Sequence, residues 1–114
     1  MTEPQPSILQ KLAEAIEQRK TLHPAGSYTA QLFAEGHPAM TSKLIEEAYE
    51  LIAACGEETP NYPDLVHEAA DVVYHLMVLL SSCDVDWPDV ERELTRRFGT
   101  SGLVEKARRP AEES

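Results

Sequence analysis

Apolar residues recur along this chain at steps of three and four, the repeat of an amphipathic helix. Ile8, Leu9, Leu12 and Ile16 make the first such stripe, and Ser7, following Pro6, is a natural N-cap. A helix is therefore expected from Ser7 to about residue 20. Pro24, Gly26, Gly36 and Pro38 then bracket a short amphipathic segment over 28–34. A longer helix is expected over about 39–55. The segment GEETPNYPD reads as a loop, and Pro63 or Asp64 starts the longest helix, which runs to about residue 82. After the turn CDVDWPD, Asp86 is a plausible N-cap with Pro88 in the first turn, and this helix ends near Phe98 at Gly99. One more helical turn before Pro110 is compatible with the tail. No stretch alternates with period two, so the chain reads as all-α: a compact bundle of about four to five helices.

The two central helices differ in pattern. In the first, Leu44, Ala48, Leu51, Ile52 and Cys55 form one apolar arc, with Glu46, Glu47 and Glu50 on the opposite side. The second is apolar nearly all round, from Val66 to Leu80, which predicts burial. Its polar residues, His67, Glu68, Asp71 and His75, fall on one narrow stripe. Glutamates on an exposed helix face are ordinary, but carboxylates on a buried helix must pair, bind metal or stay protonated. Lys43 is the one basic residue within these helices. The economical solution is that the two acidic faces meet around one or more divalent cations.

Carboxylate oxygens are hard ligands suited to Mg²⁺ or Mn²⁺. Glu47 and Glu50 stand one turn apart, and Glu68 and Asp71 repeat that spacing, so packed antiparallel helices make a cup of four carboxylates. The chemistry that suits such a cup is metal-assisted hydrolysis of a phosphoanhydride. The HEAAD stretch at 67–71 has the first half of a zinc-protease helix, but Asp71 stands where the second histidine belongs. His75 either contacts the carboxylates or the substrate, or is a core histidine satisfied by a neighbour.

Bulk properties narrow the field. The 114 residues suit a single domain spanning 1–114, with a core over about 22–110 and flexible ends at 1–6 and 110–114. A net charge of −10 argues against a nucleic-acid surface and agrees with a cation-concentrating site. Cys55 and Cys83 lack zinc or disulfide-framework spacing, so both are expected reduced and buried. The start has no apolar core of signal-peptide length, and the run over 72–80 is too short to span a bilayer. A cytoplasmic protein is expected, without a membrane partner.

The pattern Glu46-Glu47-x-x-Glu50, a gap of 17 residues, then Glu68-x-x-Asp71 resembles the signature of the all-α nucleotide pyrophosphohydrolases, the MazG-like enzymes and dimeric dUTPases. With SYTAQLFAEG, KLIEEAYELIAA, EAADVVYHLMVLL and RRFGTSGLVEKARRP, the chain from about 22 to 110 looks like the phosphoribosyl-ATP pyrophosphatase family. That resemblance implies Mg²⁺-dependent hydrolysis of phosphoribosyl-ATP to phosphoribosyl-AMP and pyrophosphate, the second step of histidine biosynthesis, by a helical homodimer. It places metal at Glu47, Glu50, Glu68 and Asp71, with Glu46 as a further ligand or water-positioning carboxylate. It places substrate near Lys43, Ser27, Tyr28, Thr29 and His75, and lends Arg97, Lys106 and Arg109 to the polyanion, with Arg96 and Arg108 beside them. Two positions depart from the family pattern: Ile45, where glycine is usual, and the bulky Tyr49. No second enzymatic domain is evident, so a free-standing enzyme is expected. The competing readings are a house-cleaning nucleoside triphosphate pyrophosphohydrolase and a non-catalytic helical interaction module.

Overall fold

A computed structural model describes residues 5–99. Five helices follow one another: α1 (Ile8–Leu22), α2 (Tyr28–Glu35), α3 (His37–Cys55), α4 (Tyr62–Ser82) and α5 (Trp87–Phe98). There is no strand among the described residues. The expected tail turn, with Lys106, Arg108 and Arg109, lies outside them.

The helix starts follow from local chemistry. Ser7 caps α1 in a capping box: its hydroxyl accepts from the Gln10 N–H, and the Gln10 side chain accepts from the Ser7 N–H. Ser27 caps α2 and Asn61 caps α4 with a single side-chain bond each, accepting from the Ala30 and Asp64 N–H groups. Asp86 occupies the N-cap position of α5, but its side chain makes no capping bond. The corner between α2 and α3 turns on Gly36, whose φ of +99° a side chain would strain.

α3 and α4 pack along each other as a hairpin, the most extensive contact in the fold. α1 and α2 lie against this hairpin, and α5 packs on α1 and α4. The buried core joins Ile16 of α1, Leu32 of α2, Met40 at the start of α3, and Met77 and Val78 near the end of α4. It therefore sits at the base of the hairpin, remote from the loop that joins the two long helices. α4 has no basic residue in its last turn. Lys20 of α1 fills that role: its ammonium donates to the Ser81 carbonyl at 2.6 Å and to Asp84 at 2.9 Å. Ser81 Oγ returns a bond to Glu17 at 2.6 Å.

This one-ended core corrects three expectations. α4 is not buried all round, since Val66 is 51% exposed and Leu76 lies at the margin of exposure. The apolar arc of α3 is not its packed face throughout: Ile52 is exposed while Glu47 is buried. Cys55 and Cys83 are free, as expected, but exposed. For Val66, Ile52 and Cys55 the packing partner is missing, because the buried core lies at the base of the hairpin; Cys83 is exposed at the C-cap of α4.

Ile16 is 2% exposed at the centre of the core. Ile16→Ala is expected to cost about 2–5 kcal/mol of stability by leaving a cavity among Leu32, Met40 and Met77. A urea-unfolding midpoint shift with an unchanged slope checks this.

Candidate metal and phosphate site

The antiparallel run of α3 and α4 brings their acidic turns face to face. Ligand oxygens of Glu47, Glu68 and Asp71 all lie within 4.8 Å of one another, as do those of Glu46, Glu47 and Glu50. Glu47 belongs to both groups and is the most enclosed, at 7% exposure. Glu68 and Asp71 are half-buried, and Glu46 and Glu50 are exposed at the rim.

The electrostatics are those of crowded anions. Burial pushes the Glu47 carboxyl above the ordinary carboxylate range, and Glu50 and Asp71 add to the rise. Glu68 is raised too, first by burial and then by Glu50. One oxygen of Glu47 and one of Glu68 are buried with no hydrogen-bond partner. A divalent cation satisfies such oxygens, and hard carboxylate donors at this spacing suit one. Two nitrogen-bearing side chains border the cluster. Lys43 Nζ lies 3.3 Å from Glu46 and 3.7 Å from Glu47. His67 Nε2 lies 3.2 Å from Asp71.

The other predicted residues separate into groups. The Tyr28 ring packs on Tyr74, and its hydroxyl is 3.2 Å from His75 Nε2. Thr29 is buried and its hydroxyl bonds that of Tyr74. Ser27 is engaged in capping α2. His75 is 5% exposed, with Nδ1 on the Asp71 carbonyl at 2.8 Å and Nε2 on Tyr28. Of the two expectations for His75, the satisfied core histidine describes this geometry, and no ring nitrogen is left over for a substrate. Arg97 is exposed on α5 and pairs with Glu93 at 3.4 Å, away from the carboxylates' own ion pairs. Lys106 and Arg109 lie outside the described residues. Tyr74 is the residue that sequence reasoning passed over. It stands in DVVYHLM as one apolar position among many, and only its neighbour His75 signals a polar cluster.

The carboxylates occupy an open face. A cavity of about 680 Å³ lies elsewhere, between α1, the end of α4 and the start of α5, where Ile16, Met77, Leu80 and Trp87 line it. Chemistry and enclosure are thus separated in the single chain. Ile45 and Tyr49, the two departures from the family pattern, are exposed at 55% and 70% and take no part in the acidic cluster. No helix among the described residues is long and apolar enough to cross a membrane.

Comparison with known proteins shows the family. The model of the phosphoribosyl-ATP pyrophosphohydrolase family matches residues 9–98, which include all five helices but for the first residue of α1. A phosphoribosyl-ATP pyrophosphatase of Rhodobacter capsulatus is 49% identical over 104 residues, covering 90% of this chain and 98% of its own. Proteins of the same name from Paracoccus denitrificans and Neisseria meningitidis serogroup B are 46% and 45% identical. They cover 96% and 90% of this chain, and 99% and 94% of their own. No solved structure matches the chain. With matches spanning nearly its whole length, the chain belongs to the phosphoribosyl-ATP pyrophosphohydrolase family.

Proposed function

We propose that this chain hydrolyses phosphoribosyl-ATP to phosphoribosyl-AMP and pyrophosphate, the second step of L-histidine biosynthesis. The observation that supports it most is the pair of buried, unpartnered oxygens on Glu47 and Glu68 in a chain of this family. Glu47, Glu50, Glu68 and Asp71 would hold Mg²⁺, or Mn²⁺ with the same taste for oxygen, and Glu46 would add a ligand or orient water. Such an ion, when bound, offsets charge on phosphate oxygens and makes water more acidic.

The chain's own residues supply the remainder. Lys43 has its ammonium at the edge of the cluster, placed to exchange a carboxylate contact for a phosphate oxygen. A carboxylate of the cluster takes the proton of the attacking water. The water oxygen bonds to the α-phosphorus, the bond from that phosphorus to the bridging oxygen breaks, and pyrophosphate leaves with the electron pair. Arg97, Lys106 and Arg109 add positive charge for the polyanion, and Ser27 and Tyr28 border the phosphates or ribose. The reaction is assigned to the cytoplasm.

The active form in this reading is a homodimer. Ile45, Tyr49 and Ile52 recur at helical spacing on α3, and Tyr62 and Val66 begin α4, all of them exposed. A second chain laid along this half of the hairpin would bury them. Ile52→Asp is expected to convert a dimer to a monomer in sedimentation, and an unchanged mass would remove this interface.

The deciding assay is chromatography of products from phosphoribosyl-ATP, with Mg²⁺ and with EDTA, beside ordinary nucleoside triphosphates. Pyrophosphate from phosphoribosyl-ATP alone, and only with metal, is the expected result. Preference for dUTP, dCTP or an oxidised nucleotide would keep the carboxylate chemistry and discard the histidine pathway.

A further inference from the structure

α5 contributes no buried residue to the core, and Trp87, its first residue, only packs against the core's edge. The start of this helix stands beside α1 and the end of α4 without closing onto them, and the cavity of about 680 Å³ lies in that wedge. Ile16 and Met77, 2% and 3% exposed, make its floor, and the Trp87 side chain adds an aromatic wall. The charged lining is mostly acidic: Glu14, Glu17 and Asp86 against Arg92. Arg92 is engaged by Asp89. Glu17 accepts from Ser81 Oγ and lies 3.7 Å from Lys20. Glu14 and Asp86 are the two left over. Asp86 holds an N-cap position without making the capping bond, so its carboxylate stands unengaged next to Trp87 in the chain. Glu14 has no hydrogen bond or ion pair among the described residues. Apolar walls around a volume of this size suit a small organic body, an indole face attracts a cation, and unpaired carboxylates accept hydrogen bonds from one.

We propose that this cavity is a second ligand site, which takes a small organic cation: an apolar or aromatic body carrying a protonated amine. The body rests on Ile16, Met77 and Trp87, and the ammonium meets Glu14 and Asp86. The site is separate from the carboxylate cluster, since Leu80 of its lining lies roughly 14 Å along the α4 axis from Asp71. It shares no residue with the proposed hydrolysis and does not depend on it.

Trp87 is the chain's one tryptophan, so its emission reads this cavity directly. The full chain is titrated at pH 7 with phenethylamine, beside the neutral 2-phenylethanol and the anionic phenylacetate, without and with saturating Mg²⁺. Phenethylamine should change the emission saturably, with a dissociation constant on the order of a millimolar, as befits so small a ligand. It should bind about tenfold tighter than 2-phenylethanol, the worth of one charge-assisted hydrogen bond, and phenylacetate should bind least. Mg²⁺ should leave these affinities unchanged. Glu14→Gln combined with Asp86→Asn, which keeps shape and removes charge, should erase the preference for the amine and leave 2-phenylethanol as before. Ala13→Leu, which fills the cavity, should weaken the amine and the alcohol alike. If Ala13→Leu disturbs the fold, the paired carboxylate variant decides alone. A titration without saturation, phenylacetate bound as tightly as the amine, or a preference that survives the paired variant would each overturn the proposal. Displacement of the amine by Mg²⁺ would move the cation to the carboxylate cluster, with the same result. Affinity that falls as protein concentration rises would give the wedge to a second copy of the chain, which also overturns it.

Discussion

Replacing Glu47 by Gln is expected to lower kcat/KM by about a thousandfold, and to raise the melting temperature of the metal-free protein. The loss follows from geometry: Glu47 is the one carboxylate common to both acidic groups, so its amide weakens each of them. The gain follows from burial. The Glu47 carboxyl is pushed up by desolvation, then by Glu50 and Asp71, and a neutral amide of the same shape escapes both costs. The sign with pH is fixed by linkage. Because the folded-state value lies above the unfolded one, the folded protein holds the proton longer, and stability falls as pH rises from about the ordinary 4.5 through the raised value. Glu68 contributes in the same direction. Asp84 and Glu93, lowered by Lys20 and by Arg96 and Arg97, act in the opposite sense in a lower window, where stability falls as acid protonates them. Metal-free protein should therefore melt at lower temperature at pH 8 than at pH 5, and Glu47→Gln should flatten that decline. A decline identical in the variant would detach it from Glu47.

Mg²⁺ at a hundred times its dissociation constant is expected to stabilise the fold by about 2.7 kcal/mol, which for a domain of this size raises Tm by roughly 10 °C or more. The increment should be larger at pH 8 than at pH 5, since the ion must displace the protons that Glu47 and Glu68 retain. Glu68→Gln and Asp71→Asn should each shrink it, because both belong to the enclosed group. Calcium or magnesium leaving Tm unmoved at millimolar concentration would mean that the carboxylates gather no cation. In that event the non-catalytic helical module becomes the better account of the fold.

Much of this was legible in the sequence, for physical reasons. Ser7, Gly36 and Gly99 punctuate helices wherever they occur, so the boundaries fell within a few residues of their places. Glu-x-x-Glu and Glu-x-x-Asp spacings survive any rotation of a helix, so the facing carboxylates of α3 and α4 could be anticipated. The direction of each helix face could not. Periodicity shows that Ile52 and Glu47 lie on different sides of α3, but not which side a single chain buries. The contact of His75 with Tyr28 was equally out of reach, because it joins α4 to α2 across 47 residues. Tyr74 was missed because an aromatic in an apolar run carries no mark that its hydroxyl is used.

The hairpin is anchored at one end only, and its acidic turns straddle the change in support. Glu47 and Asp71 lie nearer the end gripped by Met40, Met77 and Val78, whereas Glu50 and Glu68 lie one turn toward the tip, away from the buried core of the described residues. Amide exchange should register this as a gradient, slow near the base and fast beyond residue 50 on α3 and before residue 68 on α4. Anything that ties the four side chains together then works like a clasp across a spring, stiffening the free end by gripping it just past the point where it begins to flex.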